Sequence, residues 1–476
     1  MPKIALIEPR SPNLHIFSKF PSPRLGTVLL GTIMKQRGWD VELFVEDFRA
    51  LDFGVIGSAD IVGISTITST APRAYAIAGR VREMGIPVLF GGPHVTFLPG
   101  ESLEHGDYVL RGEAEETLPA FLEAWRTEAD LSEIPGLSFR RGGEAVHNPR
   151  SAPPRNLDAF PYADFDLLKP DRRWRGKKMV LPVQTSRGCP FDCTFCSVTG
   201  MFGKAYRFRS TEHILGELRL HADRNRNLFF YDDNFAAHKP RTRELLEAMI
   251  REGFKFRWTT QVRADVARDP DLVRLMKKAG GHTVCIGFES VNPRSLQESH
   301  KAQSVAELDR AVRVFRRNRI HIHGMFVFGF DQDDRGTFRE TVKWARKSRL
   351  TSSQFLILTP LPGSAFYKKV MDEERIAFKD WSLYDAHHAV FRPRRLSLAE
   401  LQKAQIAGHR RFYSLKEQAR NVLEGRWLAI AINQYARALN RTWQKKNRTF
   451  LKALDLLRPR RGSRVWVDYR QDVGLD

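Results

Sequence analysis

The chain has 476 residues, more than one ordinary hydrophobic core organises, and this length predicts two or three domains. An apolar fraction of 42% is typical of a globular protein and argues against a disordered or fibrous one. No apolar run reaches the roughly 18 residues that a membrane-spanning helix needs. Residues 1–7 have the pattern of a β-strand rather than a secretion signal, so we expect a cytoplasmic protein.

Positive charge is distributed unevenly along the chain. The formal net charge is +22, and residues 401–476 supply half of it, with 17 Lys and Arg against 6 Asp and Glu. Such a surface suits an anionic partner, for example acidic lipid headgroups, nucleic acid or a carboxylated substrate, although most charge runs are solvated surface. Residues 427–432 and the basic residues that follow them could form an amphipathic helix in peripheral contact with the inner membrane face.

Short apolar runs alternate with helical patterns in the first part of the chain. The predicted strands are 3–8, 40–45, 60–66, 87–90 and 108–110, and the predicted helices are 24–37, 71–84 and 115–126. This alternation predicts an α/β domain at 1–130 with a flavodoxin-like (Rossmann-like) parallel sheet. Ligands of such sheets bind beyond the carboxyl ends of the strands. Those ends carry Ser65, Thr66, Thr68, Gly91, Gly92, His94, Gly112 and Glu113.

A second alternating series follows residues 131–178, a stretch rich in Pro and Arg that we interpret as a linker or a connecting hairpin. Its predicted strands are 180–185, 227–231, 257–262, 283–289, 321–328 and 353–358, with helices at 211–222, 241–252, 269–279, 305–318 and 335–348. Six units are too few for an eight-fold barrel, so residues 179–372 predict a partial, open (β/α)6 barrel. Residues 373–476 predict a basic, mostly helical region with a long helix at 426–457.

Three of the four cysteines share one short segment. Cys189, Cys193 and Cys196 form a C-x3-C-x2-C motif just after the first strand of the second series. Three thiolates on one loop can ligate three corners of a cubane cluster and leave one iron open, whereas a structural zinc site needs four ligands. Cys285 could complete a zinc site, but it stands in a buried-strand pattern typical of a small core residue.

This motif, with Phe195 before its last cysteine and its place after the first barrel strand, resembles that of the radical S-adenosylmethionine (SAM) superfamily. The resemblance implies a [4Fe–4S] cluster on Cys189, Cys193 and Cys196, SAM chelated to the open iron, and reductive cleavage of SAM to a 5′-deoxyadenosyl radical. It also implies an external electron donor such as flavodoxin or ferredoxin. By position at the strand ends, the SAM-binding residues are Asp233, Asn234, Arg263, Glu289 and Ser290.

The first domain, joined to such a barrel, resembles that of the cobalamin-binding class of this superfamily. Residues 91–96 (GGPHVT) and 111–117 (RGEAEET) carry the likeness. It implies that the eight strand-end residues from Ser65 to Glu113 bind cobalamin. The Asp-x-His-x-x-Gly motif that places a histidine under cobalt in methionine synthase is absent from the sequence, so His94 is either a cobalt ligand or a loop anchor. A first domain that binds nothing is the alternative.

With both cofactors, the resemblance implies methylation of an unactivated carbon of a lipid, tetrapyrrole or natural product. A cyclase or oxidoreductase of the anaerobic tetrapyrrole type is the alternative. Methylthio transfer to tRNA is disfavoured, since no cysteine precedes Cys189 to hold a second cluster. A non-enzymatic nucleic-acid scaffold with a structural zinc is a distant alternative. Nucleic acid is not expected as a partner, because the tail aromatics Trp427, Tyr435, Trp443 and Phe450 follow a helical pattern that favours packing over stacking on bases.

Overall fold

A computed structural model describes residues 1–13, 22–174, 179–222 and 227–456. Two sheets, each built around parallel strands, follow each other along the chain, and a helical region covers the second. The predicted α/β fold class is therefore confirmed. Within the described ranges, no helix combines the length and the hydropathy needed to cross a membrane.

The first sheet has seven strands in the order β2-β1-β3-β4-β5-β6-β7. They are β1 (Lys3–Glu8), β2 (Asp40–Val45), β3 (Ile61–Ser65), β4 (Val88–Gly91), β5 (Tyr108–Leu110), β6 (Leu137–Arg141) and β7 (Glu144–His147). The first five strands are parallel, whereas β6 pairs antiparallel with β5 and β7 antiparallel with β6. A hairpin within residues 131–178 thus extends the first sheet.

Six helices accompany this sheet: α1 (Leu25–Gln36), α2 (Phe53–Ile56), α3 (Ala71–Glu83), α4 (Pro93–Phe97), α5 (Pro99–His105) and α6 (Thr117–Arg126). The chain leaves β1 for β2 on one side and returns to β3 on the other. This reversal opens a crevice at the carboxyl ends of β1 and β3, the place where open α/β sheets bind their ligands.

The second sheet has six parallel strands in the order β15-β14-β13-β12-β11-β8. They are β8 (Leu181–Val183), β11 (Asn227–Phe230), β12 (Arg257–Val262), β13 (Gly281–Glu289), β14 (His321–Phe328) and β15 (Ser352–Ile357). A short antiparallel pair, β9 (Ser186–Arg187) and β10 (Arg207–Phe208), follows β8. Across the described residues β8 and β15 do not pair, so the barrel is open, as the six units predicted.

The barrel helices are α7 (Val198–Phe202), α8 (Thr211–Arg219), α9 (Lys239–Arg251), α10 (Pro270–Lys278), α11 (Pro293–Glu298), α12 (Val305–Arg317), α13 (Arg335–Lys347) and α14 (Ala365–Asp372). Buried aromatic side chains fill the space between the strands and these helices. Phe326 stacks on Phe355 with ring centroids 5.4 Å apart, and Phe288 stacks on Phe326 at 5.5 Å. Parallel strands covered on both faces need such continuous apolar runs.

The carboxyl-terminal region contains α15 (Leu398–Phe412), α16 (Leu415–Leu423), α17 (Trp427–Lys446) and α18 (Arg448–Leu456). The prediction of one long helix at 426–457 was wrong, because the helix stops at Asn447; residue 457 lies outside the described residues. Asn447 Oδ1 lies 2.9 Å from Nε2 of the buried His388. Trp443 and Phe450 are buried, as predicted, but Trp427 is 75% exposed.

A segment after the barrel connects the two domains. At one end, the backbone amide of Ile357 in β15 donates to the carbonyl oxygen of Ala386 at 2.7 Å. At the other, Nε1 of Trp381 donates to Glu101 in the first domain at 2.9 Å. The carbonyl oxygen of Ser382 accepts from Asn13 at 3.0 Å. These bonds fix the first domain relative to the barrel.

We expect Gly92→Ala to destabilise the first domain. Gly92 has φ +99°, and an added Cβ would lie 2.7 Å from the carbonyl oxygen of Thr66. The strained φ and the close contact of the alanine should lower the free energy of unfolding by about 2 kcal/mol or more. The melting temperature should then fall by several degrees. Gly91→Ala is the matched control, since its Cβ would meet nothing within 4 Å. Equal melting temperatures of the two variants, followed by differential scanning fluorimetry, would contradict the assigned backbone geometry.

Candidate cofactor sites

The cysteine loop, residues 188–196, lies at the carboxyl end of the barrel strands. It begins at Gly188, whose φ is +86° and whose added Cβ would lie 2.5 Å from the carbonyl oxygen of Ala205, so glycine is required for this close turn. Within the loop, the amide of Cys196 donates to the carbonyl oxygen of Cys193 at 3.1 Å. Thr194 anchors it by donating to the carbonyl oxygen of Ser299 at 3.2 Å. All three loop thiols are half-buried, with Phe195 packed edge-on against Phe330.

Two cations flank the cysteine loop. Nη1 of Arg263 donates to Sγ of Cys193 at 3.9 Å, and its guanidinium lies 3.7 Å from the ring centroid of Phe191. Arg263 also donates to the carbonyl oxygen of Lys301, whose own ammonium pairs with the buried Glu289. Burial raises the pKa of the Cys193 thiol, while Lys301 and Arg263 oppose that rise. Positive charge at this position favours thiolates, the form that binds iron.

The fourth cysteine does not join this loop. Cys285 lies within β13, opposite Gln261 of β12 and His323 of β14, and is 6% exposed. Burial raises the pKa of its thiol to about 12. Among the described residues, no three His, Cys, Asp or Glu side chains are grouped as ligands of one metal ion. This holds for the three loop thiols as well, so position decides between the two sites: Cys285 is held within the sheet, whereas three thiols on one loop are the donor set of a cubane cluster.

The predicted SAM residues after β11, Asp233 and Asn234, follow a carboxylate that belongs to the scaffold. Asp232 is fully buried and accepts hydrogen bonds from Thr185 and Ser186, so it holds the backbone in place. Asp233 is partly buried near the cysteine loop, and burial followed by the charge of Asp232 raises its pKa to about 7. The carbonyl oxygen of Asn234 accepts from the Tyr206 hydroxyl.

The predicted SAM residues at the end of β13, Glu289 and Ser290, already have protein partners. Glu289 has a left-handed φ of +59° at a register shift between β13 and β14, and it pairs with Lys301. Oγ of Ser290 accepts from the amide of Asn292 at 3.1 Å. The structure thus gathers Arg263, Glu289 and Cys193 around Lys301. Sequence reasoning missed Lys301, because nothing in its local pattern marks it.

A cavity of about 230 Å³ lies at the carboxyl end of the first sheet. Apolar side chains dominate its wall, and the barrel closes one side of it through Gln184, Arg187, Met201, Phe202 and Tyr231. Of the predicted cobalamin residues, Ser65, Gly91, Gly92, Gly112 and Glu113 line the cavity. It opens where the strand order reverses, so the expected ligand position coincides with the domain interface.

The other three predicted cobalamin residues, Thr66, Thr68 and His94, do not line this cavity in the described part of the chain. His94 is fully buried, and its Nε2 lies 3.1 Å from the Tyr75 hydroxyl and 3.5 Å from a Glu101 oxygen. The amide of His94 donates to the carbonyl oxygen of Thr66 at 3.2 Å. These contacts fit the loop-anchor role of His94, while its Nδ1 is buried without a hydrogen-bond partner among the described residues.

Buried polar atoms in the cavity wall test whether a corrinoid fits. Nη1 of Arg24, Oγ1 of Thr27 and Oε2 of Glu115 are buried without a hydrogen-bond partner in the described residues, and all three residues line the cavity. Buried polar groups in native proteins almost always have partners, so these atoms indicate a bound polar ligand. A corrin ring with amide side chains offers both an apolar face and such partners. Arg24 and Thr27 carry no signal in the sequence beyond their place at the start of a helix.

Comparisons with known proteins agree with this arrangement. Residues 18–122 match the model of the B12 binding domain, and residues 183–345 match that of the radical SAM superfamily. An uncharacterised methyltransferase of Pyrococcus horikoshii, PH0819, is 30% identical over 404 residues, which cover 82% of this chain and 88% of that protein. The bacteriochlorophyllide d C-12(1)-methyltransferase of Chlorobaculum tepidum is 28% identical, over 92% of this chain and 94% of its own.

Among solved structures, the radical SAM methyltransferase TsrM of Kitasatospora setae, with cobalamin and a [4Fe–4S] cluster bound, has the same fold. The TM-score is 0.69 at 19% identity, and the match covers 78% of each chain. The two matched domains coincide with the cavity domain and the barrel that carries the cysteine loop. The chain belongs to the cobalamin-binding class of the radical SAM superfamily.

Proposed function

We propose that this protein is a cobalamin-dependent radical SAM methyltransferase that methylates an unactivated carbon of a tetrapyrrole. The observation that carries the proposal is the cavity between the domains, whose wall includes Tyr231 and Arg187 from the barrel. Arg187 immediately precedes the cysteine loop, so a corrinoid in the cavity lies beside the loop that holds the cluster. The match of the Chlorobaculum bacteriochlorophyllide methyltransferase over nearly its whole length supports a tetrapyrrole over a lipid or another natural product.

Cys189, Cys193 and Cys196 would hold the cluster, and Arg24, Thr27 and Glu115 would hydrogen-bond the corrinoid. When bound, the cluster and SAM supply a 5′-deoxyadenosyl radical, and cobalamin supplies a carrier for the methyl group. An external electron donor of the flavodoxin or ferredoxin type would reduce the cluster. The proposed SAM contacts remain Asp233, Asn234, Arg263, Glu289 and Ser290.

The protein itself positions and shields these groups. Arg263 and Lys301 place two positive charges beside Cys193, which stabilises its thiolate. Phe195 and Phe330 cover the loop with apolar surface and limit the access of water. In the cavity, Gly91 has no neighbour within 4 Å of an added Cβ, so the backbone leaves room for a bulky ligand.

A labelled methyl group tests the proposed function. We expect the reduced, cobalamin-loaded protein to transfer the methyl group of isotopically labelled SAM to bacteriochlorophyllide d, detected by mass spectrometry. Cys193→Ala should abolish transfer and lower bound iron, because the cluster loses one of three ligands. Cys285→Ala is the matched control and should keep both iron and transfer, since Cys285 lies within the sheet.

Two outcomes would contradict this account of the cysteine loop. One is full transfer by Cys193→Ala; the other is loss of iron in Cys285→Ala with normal folding. Modification of the substrate without incorporation of label would replace methyl transfer by the cyclase or oxidoreductase alternative.

Filling the cavity should remove the corrinoid and spare the cluster. Gly91 is partly buried in the cavity wall, and a phenylalanine there would occupy volume that a corrin ring needs. We expect Gly91→Phe to lower bound corrinoid, measured by visible absorption, at least about tenfold with unchanged iron. Gly79→Phe on the exposed side of α3 is the control, since its Cβ also meets no neighbour. Equal corrinoid content in the two variants would rule out the cavity as the cobalamin site.

A further inference from the structure

The amino-terminal end of the barrel, opposite the cysteine loop, is strongly basic at the three neighbouring strands β13, β14 and β15. In a parallel barrel all turns from a helix to the next strand lie at this end. The turns before β13, β14 and β15 carry several cations and no carboxylate over residues 277–280, 316–320 and 346–351. Their exposed cations are Lys277, Lys278, Arg316, Arg317, Arg319 and Lys347.

The turn between α16 and α17 is fixed at the same end. Arg426 in this turn donates to the carbonyl oxygens of Arg349 at 2.7 Å and Leu350 at 3.1 Å, directly before β15. The buried Glu417 of α16 pairs with Arg346 at 2.6 Å and with Arg349 at 3.3 Å. These contacts hold the α16–α17 turn rigidly beside the basic turns.

Apolar side chains project from this turn into solvent. Leu423 is 88% exposed, Trp427 is 75% exposed and Val422 is 52% exposed. They stand within six residues of chain, on both sides of Gly425, whose φ of +63° allows the tight reversal. Single exposed apolar residues are ordinary, but a Trp, a Leu and a Val at one protruding turn mark an interaction surface.

Cations of the α16–α17 turn and of the barrel end act on the same titratable groups. Burial, followed by the charge of Arg349, lowers the pKa of Arg426 to about 10; Glu424 opposes this shift, and Arg316 adds to it. Burial, followed by Lys277 and Arg426, lowers the pKa of His321 at the start of β14. The cations of separate turns therefore act on common groups, as parts of one basic surface.

We propose that this basic end, with Val422, Leu423 and Trp427 at its edge, binds the surface of an anionic lipid bilayer. Cations attract acidic headgroups, while Trp and Leu at a protruding turn enter the headgroup region. Nucleic acid suits the surface less well, because bases stack on flat aromatic side chains, and Leu423 and Val422 are aliphatic. The face of α17 predicted to contact a membrane is not available as a whole, because Ala429, Asn433, Ala436 and Trp443 are buried.

This orientation separates membrane binding from chemistry. The cysteine loop lies at the carboxyl ends of the barrel strands, whereas the basic end lies at their amino ends. A bilayer bound there leaves the mouth of the barrel open to substrate and to an electron donor. Variants of the basic end should therefore keep iron, corrinoid and methyl transfer.

Vesicle flotation with the full chain, loaded with both cofactors, tests the proposal. We expect binding to vesicles of phosphatidylglycerol and phosphatidylcholine in equal amounts, and much weaker binding to phosphatidylcholine alone. The double variant Leu423→Ser/Trp427→Ser and the double variant Arg317→Glu/Lys347→Glu should each lower binding at least about tenfold. Added salt should weaken binding by the wild-type chain, because it screens the attraction between cations and headgroups.

Matched controls change the same kinds of residue elsewhere. Arg339→Glu/Lys343→Glu reverses two exposed charges in the middle of α13, and Met371→Ser removes a side chain that is 45% exposed in α14. Both controls should float like the wild type. Equal flotation of all variants, or no preference for phosphatidylglycerol, would overturn the proposal. Loss of tRNA binding by the same variants, with no flotation of the wild type, would also overturn it and assign the surface to nucleic acid.

Discussion

A buried network of four charged side chains connects the two halves of the molecule. Arg187 of the barrel pairs with Glu113 and Glu115 of the first domain, each at 2.6 Å, and Arg207 pairs with Glu113. All four side chains are less than a tenth exposed. Burial alone would lower the pKa of Arg187, but Glu115 and Glu113 reverse this and raise it. Since a buried charge without its partner is costly, the two domains are held in one relative position.

Two members of this network also lie at the candidate cofactor sites. Arg187 and Glu113 line the cavity, and Arg187 is followed directly by the cysteine loop. The predicted role of Glu113 in cobalamin binding is thus joined by a second role that its position in the sequence does not reveal. One set of ion pairs orients the cavity wall and the start of the loop together, so two cofactors bound at separate sheets can act on one substrate.

Sequence patterns predicted most accurately the features that neighbouring residues alone determine. Strands β1, β2, β5, β12 and β14 begin and end at the predicted residues, because continuous apolar runs and their polar boundaries are properties of neighbouring residues. The cysteine motif identified its loop for the same reason. Positions that depend on packing were less predictable: the stop at Asn447 depends on His388, far away in the chain, and Trp427 stays exposed although its pattern suggested burial.

The candidate site shows the same division. Strand-end positions placed Ser65, Gly91 and Gly112 at the cavity, since the carboxyl ends of parallel strands must meet at one edge. They could not show that Thr66, Thr68 and His94 point elsewhere, nor that Lys301 pairs with Glu289, because side-chain direction and long-range ion pairs depend on the folded chain. Oγ1 of Thr27 and Nη1 of Arg24, two buried atoms without a partner in the described part of the chain, likewise become visible only when burial is known.

We propose that the corrinoid and the cluster face each other across the domain interface. Electron paramagnetic resonance of the anaerobic protein, with cobalamin in the Co(II) state and the cluster reduced, measures this directly. We expect the cluster to shorten the relaxation time of the cobalt signal through spin–spin coupling, relative to protein with an oxidised cluster. An unchanged cobalt relaxation time at full occupancy of both cofactors would contradict the claim.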